Sequence, residues 1–547
     1  GGFAGDANGM FRNITLENIK NFDVKVDFDF NLPPDFEWGT EWIYGVGGFA
    51  GSIFGFVDGI TLKNVGDFNI VFQGNNRGWK KYNINIGGFA GYIVSGNFSN
   101  ISLNNIKNIN STRNAEVSPK GNLVNTGGFA GYINSGDFFD ISLNTIHNLS
   151  YIDNSIYSSL NEDFYSNIGG FAGYINSGDF RKISLNDIKN IQVVLNNVSG
   201  AYSNLGGFVG FIDTGLFRDI SLNEIKNINA NINIQEIDPS LEYGNGSYSN
   251  IGGFAGAVGE YYHGPNKPIF NSIILNNIEN LKNNINHNEK SSGGGLVFRD
   301  INTGGFVGKT EYGEFKNIFL NKINYIYSIS NFAQHDTMGL GGFSGYSKNS
   351  LFKNIFINHV NNINAKSFSG FISIGGFGGM ANTNLYENIF LYGLGDISVN
   401  TKYKNKPVES YIGGFIGSGT RFDVQQHDIN SRFSNIYVYF KPDAQIITTD
   451  KGKYYVGKFF AAHRNDGYIH NINFDNIYIY HKKGTLTNAI EDKIYWIQKT
   501  VTGKINIYEY IADELEQDFK EKENAILKPI ISSPFNPNIT KPSITDG

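Results

Sequence analysis

The residues of this chain that could do chemistry are few and scattered. Gly304-Gly305-Phe306-Val307-Gly308-Lys309-Thr310 looks like a phosphate-cradling loop, in which backbone amides and a lysine would hold a nucleotide. Three residues separate Gly304 from Gly308 where four are needed, and Thr303 stands where the pattern requires glycine. Gly342-Phe343-Ser344-Gly345 comes near a nucleophile elbow, but Tyr346 replaces the closing glycine. The nine histidines, among them His147, His263, His335, His427 and His470, fall in non-equivalent places and form no paired zinc motif. The opening GGFAGD, Gly1 to Asp6, departs from a calcium-binding nonapeptide at Ala4, and the other copies lack the aspartate. The absence of cysteine removes disulfides, thiolate zinc sites and thiol catalysis together. The reading is therefore non-enzymatic, with no metal and no other cofactor.

Carboxylates on one face would be needed for a polysaccharide-cleaving site. Asp137, Asp179 and Asp213, with Asn97 before them, recur near one corner of a repeated unit. A catalytic pair belongs to a few positions, whereas these are copied along the chain, which points to turn chemistry.

The elements that hold these residues come from a repeat. Gly-Gly-Phe starts at Gly1, Gly47, Gly87, Gly127, Gly169, Gly206, Gly252, Gly304, Gly341, Gly375 and Gly413, with a worn copy at Val456-Gly457-Lys458-Phe459. The starts lie 34 to 52 residues apart, so a fixed unit alternates with loops of variable length. GGFAGYINSGDFFDISLNTIHNL at 127 to 149 returns as GGFAGYINSGDFRKISLNDIKNI at 169 to 191. The variable parts lie before each glycine pair, as in Ser150 to Ile168 and Gln235 to Ile251.

Within a unit the apolar spacing is that of strands: Phe171, Gly173 and Ile175, then Ile183 and Leu185, then Ile191, Val193 and Leu195. Asn176-Ser177-Gly178-Asp179 and Asn186-Asp187 break the runs. Three short strands per unit, stacked on their copies, predict an all-β, parallel right-handed β-helix of about twelve repeats. At a rung rise of roughly 4.8 Å it would span on the order of 60 Å. Phe89, Phe129, Phe171, Phe208 and Phe254 would form an aromatic stack in its core. Asn104, Asn144, Asn186, Asn223, Asn276, Asn321 and Asn358 would form a hydrogen-bonded ladder at a corner. The glycine pair demands either positive φ or a backbone too close for any side chain.

If Phe171 and Ile175 point inward, Tyr174 points outward. Tyr92, Tyr132, Tyr174 and Phe211 would then make an exposed aromatic strip that stacks on sugar rings or an apolar partner, with Tyr346 recurring later.

The β-helix is expected over 1–480, a terminal strand or cap over 481–505, a helix over 506–528 and a Pro-rich linker over 529–547. Ile511, Leu515 and Phe519 carry the helical spacing, and the helix would cap the last rung or join a translocator. Charged residues are only 17% of the 547 and the net charge is −6, so solubility rests on amides and hydroxyls, and nucleic acid is not expected as a partner. No signal peptide and no run of 18 apolar residues is present, which predicts no transmembrane segment; a chain opening inside a repeat reads as a fragment of a longer protein.

The string GGFVG or GGFAG, a short polar turn, then Phe or Ile with Asn and Ile behind it, resembles the GLUG-type repeat of large secreted bacterial surface proteins. Over roughly 1–480 the chain is similar to passenger domains of autotransporter and filamentous-haemagglutinin-like adhesins. The resemblance implies a secreted or cell-surface protein of a Gram-negative bacterium, attached to an outer-membrane translocator and binding a host-cell or glycan receptor. The alternative it leaves open is the passenger of a secreted toxin or a glycan-cleaving enzyme.

Overall fold

The structure is a computed structural model. It describes residues 1–27, 42–73, 82–114, 122–155, 164–198, 201–234, 247–259, 267–287, 298–331, 337–368, 370–401, 409–418, 428–449, 452–462, 469–489 and 499–510. Among these residues all regular structure is β, and every strand pairing is parallel. A unit is typified by strands Phe164–Gly169, Ala172–Ile175 and Asp179–Val198. The first belongs to an 11-stranded sheet, the other two to a 25-stranded one.

Each strand pairs with its copies in the units before and after. Ile183 lies between Ile141 and Ile220, and the same column runs from Ile14 to Ile505. The chain is thus a β-solenoid whose repeats bury one another. The Gly-Gly-Phe rings stack face to face, Phe129 on Phe171 and Phe171 on Phe208 each at 4.8 Å. A second column, Phe138, Phe180 and Phe217, meets them edge-on, as the ring quadrupole favours. From Phe49 to Phe459 these motif rings are at most 2% exposed; Phe3 is 49% exposed because nothing among the described residues stacks on its outer side.

Close approach, not backbone conformation, accounts for the glycine pair. Neither Gly169 nor Gly170 has positive φ, and a Cβ on Gly170 would collide with the Gly207 carbonyl oxygen. The left-handed residues sit instead just after the ladder asparagines: Asn105, Thr145, Asp187, Glu224, Asn277, Lys322 and His359, with φ between 51° and 60°. The ladder itself forms, with Asn144 donating to Asn104 at 2.7 Å and Asn186 to Asn144 at 2.8 Å. It holds the backbone where that costly turn occurs.

Two expectations require correction. Phe164 to Ile168, taken as part of a variable loop, is a strand, and so are Trp42–Gly47 and Ser247–Gly252. Phe164–Gly169 carries Ser166 and Asn167 inside and Ser247–Gly252 carries Ser249 and Asn250 inside, so the apolar alternation that marks a half-buried strand is absent there; Trp42–Gly47 has neither residue type and leaves Ile43 49% exposed. The helix expected from 506 does not begin there: Lys499–Tyr510 is a strand, with Ile505 on Ile477 and Ile507 on Ile479. Ile505 and Ile507 alternate at the strand period, whereas Ile511, Leu515 and Phe519, which carry the helical spacing, lie outside the described residues. Residues 511–528 of that helix and the linker at 529–547 lie outside the described residues.

Candidate functional site

Register places the expected strip residues in one column: Tyr92 on Tyr132, Tyr132 on Tyr174, Tyr174 on Phe211. Their ring centroids are 5.3, 4.8 and 5.1 Å apart, and the last two pairs are stacked. Stacking along the axis turns each face toward the next ring, so the column presents ring edges and hydroxyls outward. It is not an exposed strip. The tyrosines are half-buried and Phe211 is 2% exposed. The inward alternation of Phe171 and Ile175 holds, but the far side of the short strand faces a second layer instead of open water.

That layer is the 11-stranded sheet. Gly173 has no Cβ, and one built there would lie 2.6 Å from the Thr126 nitrogen and 2.8 Å from the Asn125 carbonyl carbon. The two backbones therefore touch, and their side chains interleave. Farther along, Met380 in the tyrosine column crowds Gly339 of the sheet, and Ser418 hydrogen-bonds Ser373 at 2.9 Å. Tyr346, Phe371, Met380 and Tyr411 form a small buried apolar cluster there. The floor of the sheet is a second ladder, buried and unforeseen: Asn125 to Asn85 at 2.8 Å, and Asn167 to Asn125, Asn204 to Asn167, Asn250 to Asn204 and Asn302 to Asn250 at 2.9 Å each. Beside it Tyr165, Tyr202 and Tyr248 stack at 4.4 and 4.8 Å.

The seam carries the strongest electrostatic perturbation. The Tyr174 hydroxyl donates to Asp213, and burial, then the Asp213 charge, holds the phenol far above its ordinary range. Burial also raises the Asp213 carboxyl, against the pull of that hydrogen bond. Asp213 does not join the carboxylate column expected for it: its backbone nitrogen donates to the Ile175 carbonyl, beside Asn176. Asp137, Asp179 and Asn97 share a column, but Asp179 faces Leu216, and Asp213 lies in the seam. Arg218 pairs with Asp179 at 2.7 Å.

Lys309 occupies the tyrosine column too. It is 4% exposed, lies 5.5 Å from the Tyr248 ring and 6.0 Å from the Tyr346 ring, and has Glu311 at 3.8 Å. Its segment, Val307–Glu311, is a strand, not a loop opening a helix, so the phosphate-loop likeness has no structural counterpart. Ser344 is buried in the equivalent strand Ser344–Lys348, unlike a presented nucleophile. His263, His335 and His427 lie outside the described residues. Among the described residues no group of three or more metal-ligating side chains is assembled, and no helix is long and apolar enough to cross a membrane.

Sequence reasoning missed two polar contacts. Lys458, in the second glycine place of the worn motif, lies 2.9 Å from buried His481. Lys441 reaches Asn361. The first had a signal, the broken Gly-Gly pair; the second, between residues 80 apart, had none. No protein-family model matches the chain, and neither does any curated protein or solved structure.

Proposed function

We propose that this chain is a right-handed β-helix of about twelve rungs serving as the surface-exposed stalk, or passenger, of a bacterial adhesin. It attaches to host cells, glycans or other bacteria and is carried on an outer-membrane translocator in a longer parent chain. One observation carries the reading: the parallel register continues unit after unit from Ala4 to Tyr510, so the described structure repeats one scaffold instead of building a single catalytic cleft. Repetition suits projection and multivalent contact.

In this reading the receptor meets the hydroxyl edges of Tyr92 and Tyr132. Tyr174 is tied to Asp213, and buried Phe211 closes the stack from within. The test couples the purified chain to beads and measures retention on epithelial cells and on a glycan array. Tyr92→Phe with Tyr132→Phe keeps the rings and removes the hydroxyls, and should abolish retention. Unchanged retention would move the contact to the segments between rungs, and no retention by the parent chain would end the adhesin reading. Release of reducing ends from a retained glycan would favour the enzyme alternative.

A further inference from the structure

The geometry points to an intramolecular isopeptide bond between Lys441 and Asn361 that staples three successive rungs. Lys441 follows the strand Asp428–Phe440, and its backbone nitrogen donates to the Leu394 carbonyl at 2.8 Å. Asn361 lies on Leu351–Ser367, two rungs away, with Leu385–Thr401 between them. The intervening rung would normally block the path. It does not, because Val360 faces Leu394 and Asn362 faces Asp396, so Gly395 lies opposite Asn361. A Cβ at Gly395 would strike the Asn361 backbone, and one at Gly393 would come within 2.7 Å of the His359 ring. The two glycines open a passage, and the lysine nitrogen sits 2.7 Å from Asn361 Oδ1.

The contact is organised on both sides. Asn361 Nδ2 donates to Asn324 Oδ1 at 2.8 Å, which turns the amide oxygen toward the lysine. Lys441 makes no ion pair among the described residues; its Nζ hydrogen bond is to the carboxamide. Burial lowers the affinity of Lys441 for its proton, partly offset by Asp443 and Asp396, and so enriches the nucleophilic amine. Two residues from Asn361, burial and the charges of Lys441 and Lys322 hold the His359 imidazole neutral down to about 4. It adds no positive charge beside the carboxamide at physiological pH.

In the step, the Lys441 nitrogen attacks Asn361 Cγ, a Cγ–Nζ bond forms and the Cγ–Nδ2 bond breaks. The proton shed by the amine passes to the departing nitrogen, which leaves as ammonia. One amide replaces another, so no oxidant, reductant or co-substrate enters. Holding amine and carbonyl in contact supplies the proximity that a bimolecular reaction lacks.

The test is mass spectrometry of the purified 547-residue chain. The intact mass should fall short of the sequence mass by one ammonia, and digestion should yield a branched peptide joining the Asn361 and Lys441 segments. Lys441→Arg keeps the charge and a hydrogen-bond donor but cannot form the bond; it should restore the full mass and remove the branched peptide. Asn361→Ala should do the same. Both variants should leave the β-sheet circular dichroism intact. A parent chain of full sequence mass with both linear peptides overturns the proposal, as does ammonia loss that maps elsewhere, for instance to Asn8-Gly9.

Discussion

The side-chain amide of Asn167 donates to Asn125 Oδ1 at 2.9 Å, and both residues are buried in the flank of the solenoid. Asn125, Asn167, Asn204 and Asn250 are each at once donor and acceptor, so removing one strands two neighbours. Asn167→Val should cost about 1–3 kcal/mol, the penalty of an unmet buried polar group. Urea denaturation reads it; an unchanged midpoint would mean that water or another side chain replaces the ladder.

The aromatic stack predicts a larger loss. Phe171 touches rings above and below at 4.8 Å and two more, Phe138 and Phe180, edge-on, and is wholly buried. Phe171→Ala should lower stability by about 3–5 kcal/mol through lost burial and the cavity left behind. Thermal unfolding should record the shift, and an unaltered melt would contradict a core role for the ring.

Gly173 and Gly5 occupy the same place in their motifs but differ in surroundings. A Cβ on Gly173 would press on Thr126 and Asn125, whereas a Cβ on Gly5 meets nothing within 4 Å. Gly173→Ala should destabilise by about 1–3 kcal/mol through forced backbone shifts. Gly5→Ala should leave the unfolding midpoint in place. Equal effects of the two would refute the close-packing account of the motif.

Asp213 gives a pH dependence of unusual sign. Its folded carboxyl holds a proton more tightly than in the unfolded chain, because burial outweighs the hydrogen bond from Tyr174. This group's contribution to stability is therefore greatest in acid. It is lost as pH rises from the ordinary carboxylate value through the raised folded value. Asp213→Asn should flatten that part of a melting-temperature profile and raise the melting temperature near neutrality. Tyr174→Phe removes the one interaction that lowers this pKa and should extend the slope to higher pH. A profile that Asp213→Asn leaves untouched would exclude the group.

The scaffold was largely legible because Phe171, Ile183 and Asn186 recur at equivalent places, and a repeat converts sequence identity into spatial register. The flank strands were not, since Ser166 and Asn167 look like loop residues until a ladder satisfies them. The tyrosine column was found, but its exposure was misjudged. Alternation states which side of a strand Tyr174 takes, not what lies opposite it. Lys441 and Asn361 meet across a skipped rung, and no local pattern encodes a gap made by Gly393 and Gly395.

The amide ladders also share a direction. Asn125, Asn167, Asn204, Asn250 and Asn302 each donate toward the lower-numbered unit, and so do Asn144, Asn186 and Asn223 in the corner ladder. Dipoles aligned head to tail add and polarise one another. As aligned peptide units do in an α-helix, they give the solenoid a lengthwise electrical polarity, with amide hydrogens foremost toward Asn85 and carbonyl oxygens foremost toward Asn302. The two ends of this stretch are consequently unlike, and an anion drawn along the axis would be favoured at one and opposed at the other.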